Sequence, residues 1–133
     1  MEFGKDLLIT FIVLVILDII FISFIHKWFA EMIKNVQCGQ EMKVRGIPAF
    51  LVYPLLASVL YILVIKGAKN KDIKDPEIYL KAGLLGLAIY GTYDLTNLAT
   101  ISGWKLQFAL VDMMWGITGF VFTTLITLAL IRK

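Results

Sequence analysis

An apolar run near the start of the chain, residues 7–25, reads LLITFIVLVILDIIFISFI. Only Thr10, Asp18 and Ser23 are polar in these nineteen residues. A hydrocarbon core about 30 Å thick is crossed by about 20 apolar residues in a helix. The run is therefore predicted to span a membrane, and it is longer than the apolar part of a secretory signal.

The composition of the whole chain points the same way. Its 133 residues suit one domain, residues 1–133, and 59% of them are hydrophobic while only 17% are charged. Soluble domains are about 45–50% apolar and about 25% charged, so the composition argues against a soluble protein. The single cysteine rules out an internal disulfide. Because the basic residues lie in the links between apolar runs, the net charge of +3 indicates a lipid bilayer as partner and no nucleic acid.

Three further apolar runs complete the predicted architecture, at residues 47–65, 78–100 and 104–131. The predicted fold is all-α, a polytopic four-helix transmembrane bundle. Pro54 predicts a kink in the second span, and Pro76 suits the first turn of the third.

The segment between the first two spans, residues 27–36, repeats apolar side chains at helical spacing against charged ones. Two interpretations stay open at this point. The segment is either an amphipathic helix lying at the membrane interface or a continuation of the first span that packs on its neighbours.

The basic residues favour one orientation, with both termini on the cytoplasmic side. The side that holds the termini would carry eight of them: Lys5, Lys66, Lys69, Lys71, Lys74, Lys81, Arg132 and Lys133. The other side would carry five: Lys27, Lys34, Lys43, Arg45 and Lys105. The inner membrane of a virus is an alternative location.

Three acidic residues, Asp18, Asp94 and Asp112, fall inside the apolar runs. A charge at the centre of a bilayer costs about 2.5–3.5 kcal/mol even on the most lenient scale, so these side chains must face protein or water. Asp94 lies nine residues before Gly103 and Asp112 nine after it. In an antiparallel hairpin that turns at Gly103, both carboxyl groups lie about 13 Å of helix from the turn.

Each helix of this hairpin carries glycines and polar residues on one face. The two sets are Gly83, Gly86, Tyr90, Asp94 and Asn97, and Asp112, Trp115, Gly116, Gly119 and Thr123. Glycines let helices approach closely. The polar groups either satisfy one another as packing contacts or form a chamber in which two carboxyl groups share a proton. Asp18 either joins this chamber or bonds a separate partner.

Other chemistry has little support in the sequence. No catalytic residue, metal ligand or cofactor is predicted, since His26 is the only histidine and Cys38 the only cysteine. Trp28 and Trp104 lie near span ends, as tryptophans that anchor a helix at the interface do. Trp115, one turn beyond Asp112, is assigned to the polar cluster. The predicted ligand-binding or polar cluster consists of Asp18, Tyr90, Asp94, Asn97, Trp104, Asp112 and Trp115.

The chain resembles domain-of-unknown-function family number 2177, small uncharacterised four-span membrane proteins. The resemblance rests on YDLTNLAT at residues 93–100, Gly-Trp at residues 103–104 and Asp-x-x-Trp-Gly at residues 112–116. It extends to LDIIF at residues 17–21, although the family commonly has tryptophan at position 21. It implies signature positions at Asp18, Asp94, Asn97, Trp104, Asp112 and Trp115. Similar proteins occur in bacteria and in large DNA viruses.

Three functional hypotheses remain. In the first, the polar cluster binds or translocates a small cation, a proton or a lipid headgroup, and a conducting pore would need a homo-oligomer. In the second, the protein is structural, for example in a viral inner membrane, and its basic links at residues 27–45 and 66–81 contact a capsid shell or other protein scaffold. In the third, it is a lipid-modifying enzyme that uses a carboxylate as base.

Overall fold

The computed structural model describes residues 2–132, which form four helices and no strand. They are α1 (Glu2–Val36), α2 (Gly46–Ala68), α3 (Pro76–Thr100) and α4 (Leu106–Ile131). Helix α2 continues through Pro54 and contains a π-helical segment, Tyr61–Ile65. The predicted all-α fold is confirmed.

Local sequence explains where the helices begin and end. Asp75 precedes α3, and its side chain accepts a hydrogen bond from the Glu77 amide at 3.0 Å, which satisfies one of the free N–H groups of the first turn. Helix α1 ends at a left-handed turn formed by Cys38 (φ 58°) and Gly39 (φ 90°). The Gly39 amide donates to the carbonyl of Lys34 at 2.8 Å, which closes the helix end.

Helix α1 continues past the predicted first span to Val36, so residues 27–36 belong to the same helix. Met32, at the centre of this segment, is fully buried and packs in one cluster with Trp104 and Phe108. The structure therefore favours the interpretation in which the segment extends the first span and packs on its neighbours.

Three helices, α1, α2 and α4, are long and apolar enough to cross a membrane. Large apolar side chains remain exposed on the outer faces of all four helices, among them Phe24, Ile47, Leu84 and Met114. Exposed apolar faces of this kind are suited to lipid. Helix α3 has 25 residues but also carries the polar residues of the cluster, so its crossing stays a prediction.

Helices α3 and α4 form an antiparallel hairpin joined by the five residues 101–105. They touch backbone to backbone at Gly86 and Gly116, where a Cβ added to Gly86 would lie 1.9 Å from the Gly116 carbonyl oxygen. A Cβ added to Gly116 would lie 2.6 Å from the ring of Tyr90. Only glycine permits this spacing.

Helix α1 packs against both α4 and α2. Asp6 of α1 forms an ion pair with Lys69 just after α2, and the hydrogen bond to Asp6 raises the pKa of Lys69. Arg132, just after α4, donates to the Ala68 carbonyl at 2.8 Å. The first and last described residues therefore lie at one end of the molecule, the terminal end. Gly103 lies at the opposite end, the hairpin end.

The glycine contact predicts a large difference between two similar substitutions. Gly86→Ala should destabilise the protein by about 1–3 kcal/mol, because the methyl group forces the helices apart. Gly67→Ala, where nothing lies within 4 Å of the new Cβ, should leave stability unchanged or raise it by up to about 1 kcal/mol. Unfolding in detergent micelles measures both, and equal effects would contradict the close contact.

The helix order also predicts which links share a compartment. The exposed Cys38, and a cysteine introduced by Ser102→Cys in a Cys38→Ser background, should react with a membrane-impermeant maleimide from the same side of sealed vesicles. Asn70→Cys in that background should react from the other side. If Asn70→Cys and Ser102→Cys react from one side, α3 does not cross the membrane.

Candidate functional site: an intramembrane acidic cluster

The two carboxyl groups of the hairpin lie together, as their equal distance from the turn predicts. The side chains of Asp94 and Asp112 are within hydrogen-bonding reach of each other. Asp94 is 0% exposed, and its Oδ2 receives no hydrogen bond from any donor in residues 2–132. A proton on either carboxyl would supply the missing O–H donor. Two carboxyl groups in this arrangement can share one proton.

Asp18 on α1 lies in the same region but has its own donors. The Tyr53 hydroxyl of α2 donates to Asp18 Oδ2 at 2.5 Å, and Trp115 Nε1 of α4 donates to Oδ1 at 3.0 Å. Two donors on two oxygens satisfy an ionised carboxylate. Each oxygen of Asp18 therefore has a donor, although the side chain is only 8% exposed.

Tyr90 connects the two parts of the cluster. Its hydroxyl lies within electrostatic range of Asp18, Asp94, Asp112 and Tyr53, and its ring covers Gly116. Asp112 is also within range of Asp18. These interactions join three carboxyl groups from three helices in one acidic cluster, which consists of Asp18, Tyr53, Tyr90, Asp94, Trp104, Asp112 and Trp115.

Trp104 covers the cluster at the hairpin end. It is 6% exposed, and its Nε1 donates to Asp94 Oδ1 at a long 3.4 Å. Its ring packs edge-on against Phe29, Tyr93 and Phe108. The prediction that Trp104 anchors the helix at the lipid interface is wrong, because the extended α1 encloses the ring. Four aromatic residues and one methionine pack together here, and we call this group the aromatic cap: Trp28, Phe29, Met32, Trp104 and Phe108.

Asn97 is the one predicted cluster residue whose side chain contacts no carboxyl group among residues 2–132. Its side chain is half-buried and lies within hydrogen-bonding reach of Tyr93. Trp115 also differs from expectation, because it bonds Asp18 rather than Asp112 one turn away. Trp115 thus contacts Asp18, whereas Asp112, one turn earlier on α4, contacts Asp94.

A comparison with protein families identifies the family of this chain. The model of the family described as "Predicted membrane protein (DUF2177)" matches residues 3–129. The chain belongs to this family. No curated protein and no solved structure matches it. The match covers all four helices, so the acidic cluster lies within the matched part of the chain.

In this DUF2177 protein, Phe21 packs on the face of Trp115, with ring centroids 4.7 Å apart and planes 6° from parallel. A flat aromatic ring, whether of phenylalanine or of tryptophan, can hold Trp115 in place for its bond to Asp18. The contact needs the ring of residue 21 and not an indole N–H.

Tyr53 is the functional residue that sequence reasoning missed. It lies inside an apolar run next to Pro54, where the proline drew attention to backbone shape rather than to the neighbouring hydroxyl. One signal was available, because a buried carboxylate in a span requires hydrogen-bond donors. Tyr53 and Tyr61 are the two residues with a phenolic O–H in residues 47–65. Sequence alone gave no means of choosing between these two tyrosines.

The contact between Tyr53 and Asp18 predicts a non-additive effect on stability. Tyr53→Phe leaves Asp18 Oδ2 without its donor and should cost about 1–3 kcal/mol. In an Asp18→Leu background the same substitution should cost much less, because no buried acceptor is left behind. Thermal unfolding of the four variants in micelles measures the difference, and an equal cost in both backgrounds would contradict the hydrogen bond.

Proposed function

We propose that this integral membrane protein binds a proton between Asp94 and Asp112 and translocates protons across the membrane. The observation that carries the proposal is the direct approach of these two carboxyl groups, of which Asp94 is fully buried and Asp112 half-buried. Two neighbouring carboxylates in a medium of low dielectric repel each other strongly, and one shared proton removes one of the two charges.

The short distance between the two carboxyl groups favours a proton as the ligand over a cation or a lipid headgroup. A metal ion or an amine between Asp94 and Asp112 would separate carboxyl groups that here lie within hydrogen-bonding reach. Asp18 is already bonded to Tyr53 and Trp115, so its oxygens are occupied. Its role in the proposal is a fixed negative charge that attracts a proton to the neighbouring pair.

The proposal includes a four-span topology with both termini in the cytoplasm. Helix α3 is less apolar than the others, but its polar face is turned towards α4, where Gly86 and Asp94 are buried. Side chains on that face do not meet lipid, so α3 crosses at little cost. The excess of basic residues at the terminal end supports the cytoplasmic placement of that end.

A structural role is the second candidate, and the tight packing of the hairpin favours it. Glycine contacts such as Gly86 with Gly116 and polar contacts across helices are also the ordinary means of holding membrane helices together. In that case Asp94 and Asp112 only stabilise the hairpin. The basic links would then contact anionic lipid or a protein shell.

Infrared spectra of the protein in membranes separate the two candidates. The unaltered protein should show the C=O band of one protonated carboxyl at neutral pH, since the pair shares a proton. In Asp112→Asn the amide can donate to Asp94, which then carries the charge alone, so the band should disappear although one carboxyl remains. Asp72→Asn, an exposed acid in the link before α3, is the control and should keep the band.

Proton uptake into liposomes that hold the purified protein gives the matching activity measurement. Asp94→Asn and Asp112→Asn should each abolish uptake, and Asp72→Asn should leave it unchanged. A band that only halves in Asp112→Asn, together with no uptake by the unaltered protein, would overturn the proposal and favour the structural role.

A further inference from the structure

Below the acidic cluster, towards the terminal end, lies a second group of buried polar side chains. Hydrogen bonds fix the register of α1 against α4, because Asp18 accepts from Trp115. Thr10 lies eight residues before Asp18, and Thr123 eight residues after Trp115. In antiparallel helices these two threonines lie at one depth, about 12 Å from the acidic cluster. Both are 0% exposed.

One turn further, the same register places Asp6 level with Thr127, twelve residues from Asp18 and from Trp115 respectively. Asp6 is 5% exposed and pairs with Lys69, and the Tyr61 hydroxyl lies 3.5 Å from its Oδ2. The terminal-end polar group therefore consists of Asp6, Thr10, Tyr61, Lys69, Thr123 and Thr127.

Two members of this group are buried without a partner. Thr123 Oγ1 and Thr127 Oγ1 have no hydrogen bond to any of residues 2–132, although both side chains are 0% exposed. By contrast, Thr124 on the same helix donates to the Phe120 carbonyl at 2.7 Å. A buried hydroxyl without a partner costs about 1–3 kcal/mol unless it bonds something else, and water is the usual partner of such groups.

An apolar layer separates the two polar groups. Leu14 lies between Thr10 and Asp18 on α1, and Phe120 lies between Thr123 and the cluster on α4. Both belong to the same buried core, and Phe120 meets the Tyr90 ring edge-on at 6.1 Å. Thr10 lies eight residues, about 12 Å, from Asp18, and Thr123 lies eleven residues, about 16 Å, from Asp112. A continuous route from Thr123 to Asp112 therefore needs a row of about five water molecules.

At the hairpin end Asp94 is covered by protein, whereas Asp112 is half-buried. The aromatic cap lies there, with Met32, Trp104 and Phe108 almost fully buried against one another. The terminal end is more open, because the Lys69 side chain that pairs with Asp6 is 25% exposed. Water can therefore reach Asp6 more readily than it can reach Asp94 from the opposite side.

We propose that water bound by Thr123 and Thr127 forms a proton route from Asp6, at the terminal end, past Leu14 and Phe120 to the Asp94–Asp112 pair. The route rests on the proposed function, since it delivers the proton that the pair holds. Each hydroxyl or water molecule in the row accepts one proton and donates another. For every O–H bond that forms, one O–H bond therefore breaks. The Asp6–Lys69 ion pair forms its entrance.

Hydrogen–deuterium exchange of the carboxyl proton tests the route. After transfer to heavy water, the C=O band of the pair shifts as the proton is replaced, and the rate reports access to the pair. Thr123→Val and Thr127→Val keep side-chain shape and should slow exchange by roughly five- to tenfold, as loss of about one hydrogen bond along a route predicts. Thr124→Val removes a hydroxyl that is already bonded and should leave the rate unchanged.

A second variant acts in the opposite direction. Leu14→Thr places a hydroxyl in the apolar layer and should accelerate exchange severalfold. Unchanged exchange in Thr123→Val, Thr127→Val and Leu14→Thr, with the carboxyl band still present, would overturn the route and leave the proton-binding pair intact. Absence of the band in the unaltered protein would instead refute the pair itself, so the two failures are distinguishable.

Discussion

The contact between the backbones of Gly86 and Gly116 sets the spacing on which the rest of the structure depends. With no Cβ on either residue, α3 and α4 approach until a carbonyl oxygen lies where a methyl group would otherwise be. Towards the hairpin end, two turns from Gly86 on α3 and one turn from Gly116 on α4, that spacing brings the carboxyl groups of Asp94 and Asp112 within hydrogen-bonding reach. A wider hairpin would hold two separate acids, each in need of its own donors.

Polar contacts attach the other two helices to this hairpin. In a membrane, apolar burial provides little drive for helices to associate, and hydrogen bonds between helices take a larger share. Asp18 accepts from α2 and α4 at once, so one carboxylate ties three helices together. Near the other end, Lys69 and Asp6 tie α2 to α1. The acids are therefore structural contacts whatever chemistry they also perform.

The sequence was sufficient to predict the helical fold and the pairing of Asp94 with Asp112, because both follow from spacing along the chain. Contacts between helices that are distant in sequence were harder to predict. Tyr53 reaches Asp18 only for one rotation of α2, which hydropathy does not determine. Trp104 near a span end fits a lipid anchor as well as a buried cap. Which of these two roles Trp104 has depends on how far α1 extends. An amphipathic pattern in residues 27–36 could not show this, because its apolar face fits lipid as well as protein.

The π-helical segment Tyr61–Ile65 has a consequence for how the Asp6–Lys69 pair is encoded. A π turn holds one residue more than an α turn, which rotates everything after it by about 100°. The direction of Lys69 is thus set by the number of residues before it as much as by its own identity. A chain one residue shorter in this segment could form a regular helix and still direct its lysine towards Asp6. A chain of unchanged length with a regular helix here would instead turn Lys69 about 100° away and lose the ion pair.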